Sequence, residues 1–309
     1  MVKNTLQNPK RKLNALTVYD YVVLALVVLI TFVIAYPLWF VITASASPAD
    51  DVASGKTLLW FSNFSLDAYK AVFQEERIWI GYRNTIIYTG LGTIYSVCLT
   101  TTAAYALSKK NVPFHNLLTW YFLLTMFISG GIVPSFLLRR DLGMYNKPIV
   151  MIVTVGVTAY NLIITRQYFT NSIPADLRDA AYIDGCGDIM TFFKIYLPLA
   201  KPILAVLALY VAVGRWNDYM SGVMYFQNEE YFTLQQMIRI VTQQGVNIEQ
   251  LLEDPSLDQE SINAIMDRYY LARTMKYTIV FVGCAPLLIV YPFVQKYFVK
   301  GALVGSVKG

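Results

Sequence analysis

Long apolar runs alternate with polar segments along the whole chain. Each run is about as long as the roughly 20-residue helix that crosses some 30 Å of hydrocarbon. Six such runs occur, at residues 21–43, 85–107, 117–138, 148–165, 202–225 and 277–294. In lipid each backbone N–H and C=O must find a partner within its own segment, so these runs are expected to be helices. The pattern predicts an all-α chain with six transmembrane helices.

Two of the polar segments are long. Residues 44–82 contain one short helix-like stretch, Leu66–Phe73. In residues 226–276 apolar side chains recur at helical spacing, with predicted breaks at Gly245 and at Asp254-Pro255. The first apolar group of that segment is Leu234, Met237, Ile238 and Val241. Residues 226–276 are therefore expected to be a small helical cap, continuous with the sixth run.

Composition supports a membrane location. Of the 309 residues, 56% are hydrophobic and only 15% are charged, whereas soluble domains carry roughly 25% charged residues. Three cysteines at positions 98, 186 and 284 and a single histidine suggest neither a disulfide framework nor a metal site. With no second domain, repeat or low-complexity linker, residues 1–309 are expected to form one transmembrane domain.

Charge predicts the orientation. If the N-terminus, residues 108–116, residues 166–201 and the C-terminus share one side, that side collects thirteen of the 25 Lys and Arg but only five acidic residues. The cluster Lys10-Arg11-Lys12 before the first run is the clearest local signal. Since positive charge favours the cytoplasm, both termini are expected to be cytoplasmic. Anionic lipid headgroups account for the net charge of +5 without nucleic acid.

One polar segment, Ser172 to Leu199, carries a spaced pattern. It reads SIPADLRDAAYIDGCGDIMTFFKIYLPL. The positions that carry the pattern are Asp179, Ala180, Ala181, Gly185, Ile195, Leu197 and Pro198. This pattern resembles the EAA loop of ABC-importer permeases, and residues 172–199 are called the EAA-like segment below. The resemblance implies a coupling loop, residues 170–200, that docks the membrane subunit onto an ATPase.

Local chemistry in the EAA-like segment predicts a helix, a turn and a second helix. Pro174 and Asp176 suit a helix N-terminus. One face of this helix is then formed by three residues at helical spacing, Leu177, Ala180 and Ala181. Because alanine side chains are small, this face could lie close in a groove of another protein. Gly185 is expected to supply the turn that ends this helix. A second amphipathic stretch, residues 189–196, then returns the chain to the membrane.

The resemblance extends over nearly the whole chain. Residues 161–185 (NLIITRQYFTNSIPADLRDAAYIDG) are similar to the fourth span and EAA loop of MalG-like permeases of carbohydrate ABC importers, and residues 216–219 (WNDY) to their fifth-span signature. Residues 226–276 and 298–301 look most like the LplC/YtcP branch, associated with oligosaccharides and polysaccharide fragments. One departure is Asp179, which stands where the family usually has Glu and is one methylene shorter.

What the resemblance implies is a type I importer permease with six helices in a bacterial cytoplasmic membrane. Its partners are a second related permease, two ATPase subunits and an external sugar-binding protein. ATP and Mg belong to the ATPases, so the chain itself has no catalytic residue, cofactor or metal. Residues 296–309 are the predicted cytoplasmic tail, and its end, residues 301–309 (GALVGSVKG), resembles the glycine-rich MalG tail that reaches between the ATPases. Its predicted contacts are Gly305, Lys308 and Gly309.

Charged residues inside the fifth run are a second candidate site. Arg215 and Asp218 lie three positions apart on one predicted helical face, and charges within a membrane tend to face a cavity or a partner. Trp216, Asn217 and Asp218 could line the sugar pathway, because indole rings stack on sugars and polar groups bond sugar hydroxyls. The alternative is a structural ion pair between Arg215 and Asp218 that holds this helix to the partner permease.

Two other classes of membrane protein fit the pattern less well. An ion-coupled secondary transporter would have repeated halves and broken helices with acidic residues at the midplane. The runs show no repeat and only one acidic residue. A polytopic membrane enzyme would need converging His, Asp or Ser side chains, and the chain has one histidine.

Overall fold

The structure is a computed structural model that describes residues 18–61, 63–154, 156–251, 266, 269–271 and 274–292. Over these residues the secondary structure is helical, and no strand occurs among them. The N-terminal basic cluster, residues 252–265 and the tail from residue 293 onward lie outside the described residues. The predictions made for them therefore stay predictions.

The helices follow the apolar runs closely. In the first half of the chain they are α1 (Val18–Ser45), α2 (Ala49–Ala53), α3 (Asp67–Gln74), α4 (Glu76–Ser108), α5 (His115–Phe127), α6 (Ile132–Asp141), α7 (Ile149–Val153) and α8 (Ala159–Asn171). In the second half they are α9 (Ala175–Ile183), α10 (Asp188–Thr191), α11 (Leu197–Leu199), α12 (Lys201–Trp216), α13 (Tyr219–Tyr225), α14 (Leu234–Leu251) and α15 (Tyr269–Pro292). A π-helical turn, Phe192–Tyr196, joins α10 to α11.

Three single helices within the described ranges are long and apolar enough to cross a membrane: α1, α4 and α15. Two further pairs pass the same test together but are sharply bent. The pair α5 and α6 bends by 117°, and the pair formed by residues 188–199 and α12 bends by 80°. The described helices thus supply three spans, or up to five if each bent pair is one span, and six remains a prediction.

Helix α4 is the centre of the fold. It packs against α8 and α12 over much of its length, and against α7 and α14. One buried cluster gathers the end of α4, α8 and the EAA-like segment around Tyr105, Phe169 and Tyr196. A second cluster at the other end of α4 contains Trp216 and residues of α14. By contrast, α1 is exposed along residues 18–39 and is buried only in its last three residues, as expected for a helix that faces lipid.

Two helices that the sequence predicted in the long polar segments are confirmed. The stretch predicted at Leu66–Phe73 is α3, and at its start the Asp67 N–H donates to Ser65 Oγ at 3.2 Å. The first part of the predicted cap is α14, which buries Leu234 and Met237. The predicted break at Gly245 is wrong, because α14 continues through it to Leu251.

The third, fourth and fifth apolar runs are broken, whereas the sequence predicted a continuous helix for each. The third breaks at Gly131, whose φ of +85° is a left-handed conformation that favours glycine. The fourth is divided into α7 and α8, with residues 154–158 between them. The fifth ends α12 at Trp216 and restarts as α13 at Tyr219. Apolar periodicity cannot locate such breaks, since the residues on both sides remain apolar.

Candidate functional site

A cavity with several polar side chains in its wall, called the polar cavity below, lies between α4, α8, α12 and the break in the fourth run. Its volume is about 280 Å³. Its lining residues are Ser96, Met151, Thr154, Thr158, Asn161, Tyr210, Val211, Gly214, Arg215, Asp218 and Ser221. Hydroxyl, amide and carboxylate groups are thus concentrated in an otherwise apolar part of the chain. Such convergence of polar groups in a concave site is typical of ligand binding.

Arg215 stabilises the break in the fourth run. Its Nη1 donates to the carbonyl oxygen of Met151, and its Nη2 donates to that of Ile152 at 3.1 Å. Both carbonyls belong to α7, which ends at Val153, so the helix itself cannot satisfy them. In a membrane an unsatisfied carbonyl costs several kcal/mol. The guanidinium therefore supplies the hydrogen bonds that the broken helix lacks.

Helix α4 makes room for this arrangement. A Cβ atom at Gly92 would lie only 2.4–2.7 Å from the guanidinium atoms of Arg215, so a larger residue here would force the arginine away from this position. One turn further along, Ser96 Oγ donates to the Gly156 carbonyl oxygen at 2.7 Å. The interrupted backbone between α7 and α8 is thus held by side chains of both α4 and α12.

The sequence predicted that Arg215 and Asp218 lie on one helix. In the structure α12 ends at Trp216, and Asp218 precedes α13. Its carboxylate accepts the Ser221 N–H at 3.0 Å and caps α13, which is the usual role of an Asp at this position. Among the described residues, no salt bridge joins Arg215 to Asp218. Both side chains line the cavity. The pair is therefore not a salt bridge in this structure.

Trp216 and Asn217 lie in different environments. Trp216 is 6% exposed, packs in the cluster with Val72 and Leu234, and donates its indole N–H to the Gly283 carbonyl oxygen at 3.1 Å. In this structure its ring is not open to a sugar. Asn217 is exposed and its amide donates to the Val213 carbonyl oxygen at 2.9 Å. The aromatic ring that does face the cavity belongs to Tyr210.

The EAA-like segment forms the helix and turn that the sequence predicts. Helix α9 ends at Ile183, and Gly185 follows with φ of +77°. Asp179 is exposed on α9, where its carboxylate accepts the Arg178 Nε–H at 3.2 Å. That bond raises the pKa of Arg178. The sequence predicted that Leu177, Ala180 and Ala181 form one docking face of α9. In the structure Leu177 and Ala180 are exposed, but Ala181 is buried.

The second half of the segment returns to the helices. Ile195 and Leu197 are half-buried against the cluster at the end of α4, and Pro198 is exposed in α11. Phe192 and Tyr196, the first and last residues of the π-helical turn, are both buried. These positions therefore anchor the segment, whereas Asp179 and Ala180 present an exposed surface.

A buried lysine was missed by the sequence reasoning. Lys109, at the end of α4, is 8% exposed and pairs with the Asp188 carboxylate. Tyr182 of α9 also donates to Asp188. Hydrogen bonds from Lys109 first, and from Tyr182, lower the pKa of Asp188. No sequence pattern indicates this pair, because its members are 79 positions apart.

Burial and hydrogen bonding act oppositely on Lys109. Desolvation lowers the pKa of its ammonium group, but the hydrogen bonds to Asp188, Tyr105 and Tyr182 outweigh that effect and raise the pKa above its usual value. The cation is therefore kept charged inside the protein. A buried charge is tolerated only when it is paired and hydrogen-bonded, and this cluster meets both conditions.

These features define a class of protein: an α-helical membrane subunit with a polar cavity among its spans and an exposed helix at one end. The profile of the family described as "Binding-protein-dependent transport system inner membrane component" matches residues 78–303. The chain belongs to this family and is a permease subunit of an ABC importer. The family is not itself catalytic, and its members associate with an ATPase and a substrate-binding protein.

Relatives and a solved structure cover almost the whole chain. It is 34% identical over 296 residues to the polygalacturonan/rhamnogalacturonan transport system permease protein YtcP of Bacillus subtilis (strain 168), covering 94% of this chain and 98% of that protein. It is 33% identical over 273 residues to protein LplC of the same strain, covering 88% and 89%. A chain in the crystal structure of a bacterial ABC transporter involved in the import of the acidic polysaccharide alginate is 31% identical, with a TM-score of 0.78 over 91% of this chain and 96% of that one. The predicted all-α, type I permease fold and the family resemblance are confirmed, whereas the count of six spans and the coupling role of the EAA-like segment stay predictions.

Proposed function

We propose that this permease imports oligosaccharides or polysaccharide fragments through the polar cavity. The carrying observation is the set of hydroxyl, amide and carboxylate side chains around the broken fourth run, with the Tyr210 ring beside them. Such groups suit sugars, which present hydroxyls at their edges and apolar C–H faces to aromatic rings. The names of the relatives YtcP and of the alginate importer agree with this substrate class.

The cavity forms one wall of the pathway. Its volume of about 280 Å³ is at the lower end of the roughly 300–1,000 Å³ typical of ligand pockets. A second, related permease supplies the facing wall. Asn161 and Tyr210 are the side chains proposed to contact sugar, together with Asp218. Asn217 remains a candidate at the margin, and Trp216 supports the site from the packed cluster.

The exposed face of α9 docks on an ATPase. Asp179, Ala180 and the Gly185 turn are the proposed contacts, with Ala181, Ile195, Leu197 and Pro198 holding the segment in place. Exchange of the Arg178 bond for an arginine of the ATPase would need only rotation of the Asp179 side chain, because both groups are on the surface. ATP-driven closure of two ATPase subunits then moves α9 and opens the cavity toward the external sugar-binding protein.

The orientation follows from this assignment. Both termini, residues 108–116 and the EAA-like segment face the cytoplasm, and residues 226–276 face outward beside the binding protein. The tail, residues 296–309, is proposed to reach the ATPases through Gly305, Lys308 and Gly309. Cysteines at Asp188 and Gln243, introduced separately into a background without native thiols, should react with an impermeant maleimide from opposite sides. Labelling of both from outside would contradict the orientation.

The function is tested by reconstituting the permease with its ATPase, second permease and binding protein in vesicles. We expect ATP-dependent uptake of labelled oligogalacturonides, unaffected by a protonophore. Asn161→Ala and Tyr210→Ala should each lower uptake about fivefold at unchanged complex yield, the effect of losing roughly 1 kcal/mol of sugar contact. The exposed Tyr160→Ala is the matched control. Uptake that needs an ion gradient and no ATP would contradict the proposal.

A further inference from the structure

Lys109 holds two elements of the EAA-like segment at once. The lysine follows the last residue of α4, and its ammonium group contacts Asp188 at the start of α10 and the Tyr182 hydroxyl of α9 at 3.4 Å. Asp188 and Tyr182 flank the Gly185 turn and also bond each other. One cation therefore fixes both sides of the turn that connects the exposed helix to the rest of the protein.

The aromatic residue beside Lys109 strengthens this junction. The ammonium lies 4.3 Å from the centroid of the Tyr105 ring, a distance at which the ring face attracts a cation. The Tyr105 hydroxyl donates to the Asp188 carbonyl oxygen at 2.9 Å. Its ring also contacts the rings of Phe192 and Tyr196, with centroids 4.9 and 4.7 Å away. The end of α4 is thus attached to the EAA-like segment by an ion pair, hydrogen bonds and aromatic packing.

The far end of α4 is tied just as firmly to the segment that leads into α14. The Asn84 amide donates to the carbonyl oxygens of Glu230 and Phe232, at 2.7 and 2.9 Å. Thr85 Oγ1 accepts the Leu234 N–H at 2.8 Å. Since α4 has 33 residues, it is about 50 Å long at 1.5 Å per residue. A single helix therefore joins the EAA-like segment to the predicted cap.

Helix α4 also forms part of the cavity between these two ends. Ser96 lines it, and Gly92 lies against Arg215. Any shift of α4 along or about its axis must therefore change the cavity. A rigid helix with both ends anchored is a physical connection between sites, which coupling requires.

We propose that Lys109 is the positioning residue that transmits movement of α9 to α4, and through α4 to the cavity and the predicted cap. This inference rests on the proposed docking of α9 on an ATPase. It assigns Lys109, Asp188 and Tyr182 a role that is separate from the docking contacts themselves. Docking needs the exposed face of α9, whereas transmission needs its buried attachment to α4.

The test is the Lys109→Met variant of the reconstituted complex, with Lys110→Met as the control. Lys110 is the adjacent lysine and is exposed. Loss of a charged hydrogen-bonded contact should lower the ratio of sugar-stimulated to unstimulated ATPase activity about tenfold, while the complex assembles in normal yield. The exchanged pair, Lys109→Asp with Asp188→Lys, should recover part of the stimulation. Lys110→Met should behave as wild type.

Two results would overturn the inference. One is normal stimulation in Lys109→Met, which would make the junction unnecessary for transmission. The other is a fall in yield in parallel with stimulation, in both Lys109→Met and the milder Asp188→Asn, which would make it purely structural.

A measurement without sugar separates this inference from the proposed substrate. The Tyr210→Cys variant, in a background without the native cysteines, should change its reactivity toward a small thiol reagent when ATP is added. Lys109→Met should abolish that change. A change that persists in Lys109→Met would overturn the transmission role. Absence of sugar uptake with an intact ATP-dependent change would contradict only the proposed function.

Discussion

Two cations of this permease, one within the membrane and one at the end of α4, are accommodated in different ways. Arg215 donates to the main-chain carbonyls of Met151 and Ile152. Lys109 instead pairs with the side chains of Asp188 and Tyr182. The Asp188 side chain is 60% exposed, so water reaches one half of that pair.

The difference indicates two roles: Arg215 stabilises the fold, whereas Lys109 connects two elements that are proposed to move during transport. Main-chain carbonyls freed by a broken helix within a membrane must find donors in the protein or in a water-filled cavity, and Arg215 supplies two such donors at this break. The Lys109–Asp188 pair contributes less to stability, because water reaches the Asp188 carboxylate, yet it fixes the relative position of two helices. Substitution near Arg215 should therefore reduce folding, and substitution near Lys109 should reduce coupling.

The largest expected effect is that of Arg215→Met. Two carbonyls in the membrane lose their donor, at about 1–3 kcal/mol each, and the yield of folded permease should fall sharply. Thermal unfolding followed by size-exclusion chromatography in detergent measures this loss. Arg140→Met, which removes an arginine paired at the surface with Asp141, is the control. Equal stability of the two variants would show that the break does not depend on Arg215.

Trp216→Ala should have the next largest effect. Its indole is buried and hydrogen-bonded to Gly283, so truncation should cost about 3 kcal/mol, the lower end for a large aromatic residue in a core. The same unfolding assay should show no loss for the exposed Asn217→Ala. If Trp216→Ala lowered sugar uptake without lowering stability, the indole would belong to the pathway after all.

Gly92→Ala should destabilise by about 1–3 kcal/mol, the usual cost of overpacking. The new methyl group would overlap the Arg215 guanidinium, whereas Gly90→Ala, two residues earlier in α4, meets nothing within 4 Å. Since alanine favours a helix over glycine, Gly90→Ala should be neutral or stabilising by about 0.5 kcal/mol or more. Equal effects of the two substitutions would contradict the close passage of Arg215 beside α4.

The smallest expected effect on stability is that of Asp188→Asn, about 1 kcal/mol, because the amide oxygen of Asn can still accept a hydrogen bond from the buried Lys109 and water reaches this half of the pair. The pKa of Asp188 is lowered by Lys109 and Tyr182, so its contribution is complete above the ordinary Asp pKa of about 3.9. It is lost only as the pH falls through the lowered value. Unfolding of wild type and Asp188→Asn should therefore differ by a constant amount between pH 6 and 8. A difference that varied with pH in this window would contradict the pairing.

Local features of the chain were predictable, and long-range ones were not. The turn at Gly185 and the helix α9 depend on neighbouring residues, and the sequence predicted both. The break in the fourth run depends on Arg215, which is 64 positions from Met151. The uninterrupted α14 shows the reverse case: an isolated glycine costs a helix only about 1 kcal/mol relative to alanine, and α14 continues past Gly245.

The residues of the cavity were only partly identifiable for the same reason. The sequence pointed to the end of the fifth run, where Arg215 and Asp218 line the cavity. It selected Trp216 because indole rings stack on sugars, but burial among α14 and α15 turns that ring away. Tyr210, six positions earlier in the same run, faces the cavity, and no local pattern distinguishes it from the other tyrosines of the chain.

The central claim is that Arg215 stabilises the fold and Lys109 couples the ATPase to the cavity. It is tested most directly by measuring complex yield and sugar-stimulated ATPase activity together for Arg215→Met and Lys109→Met. The account predicts that Arg215→Met loses yield, and that the complex which does assemble retains stimulation. It predicts that Lys109→Met retains yield and loses stimulation about tenfold. Parallel loss of both quantities in both variants, or the opposite assignment, would contradict it.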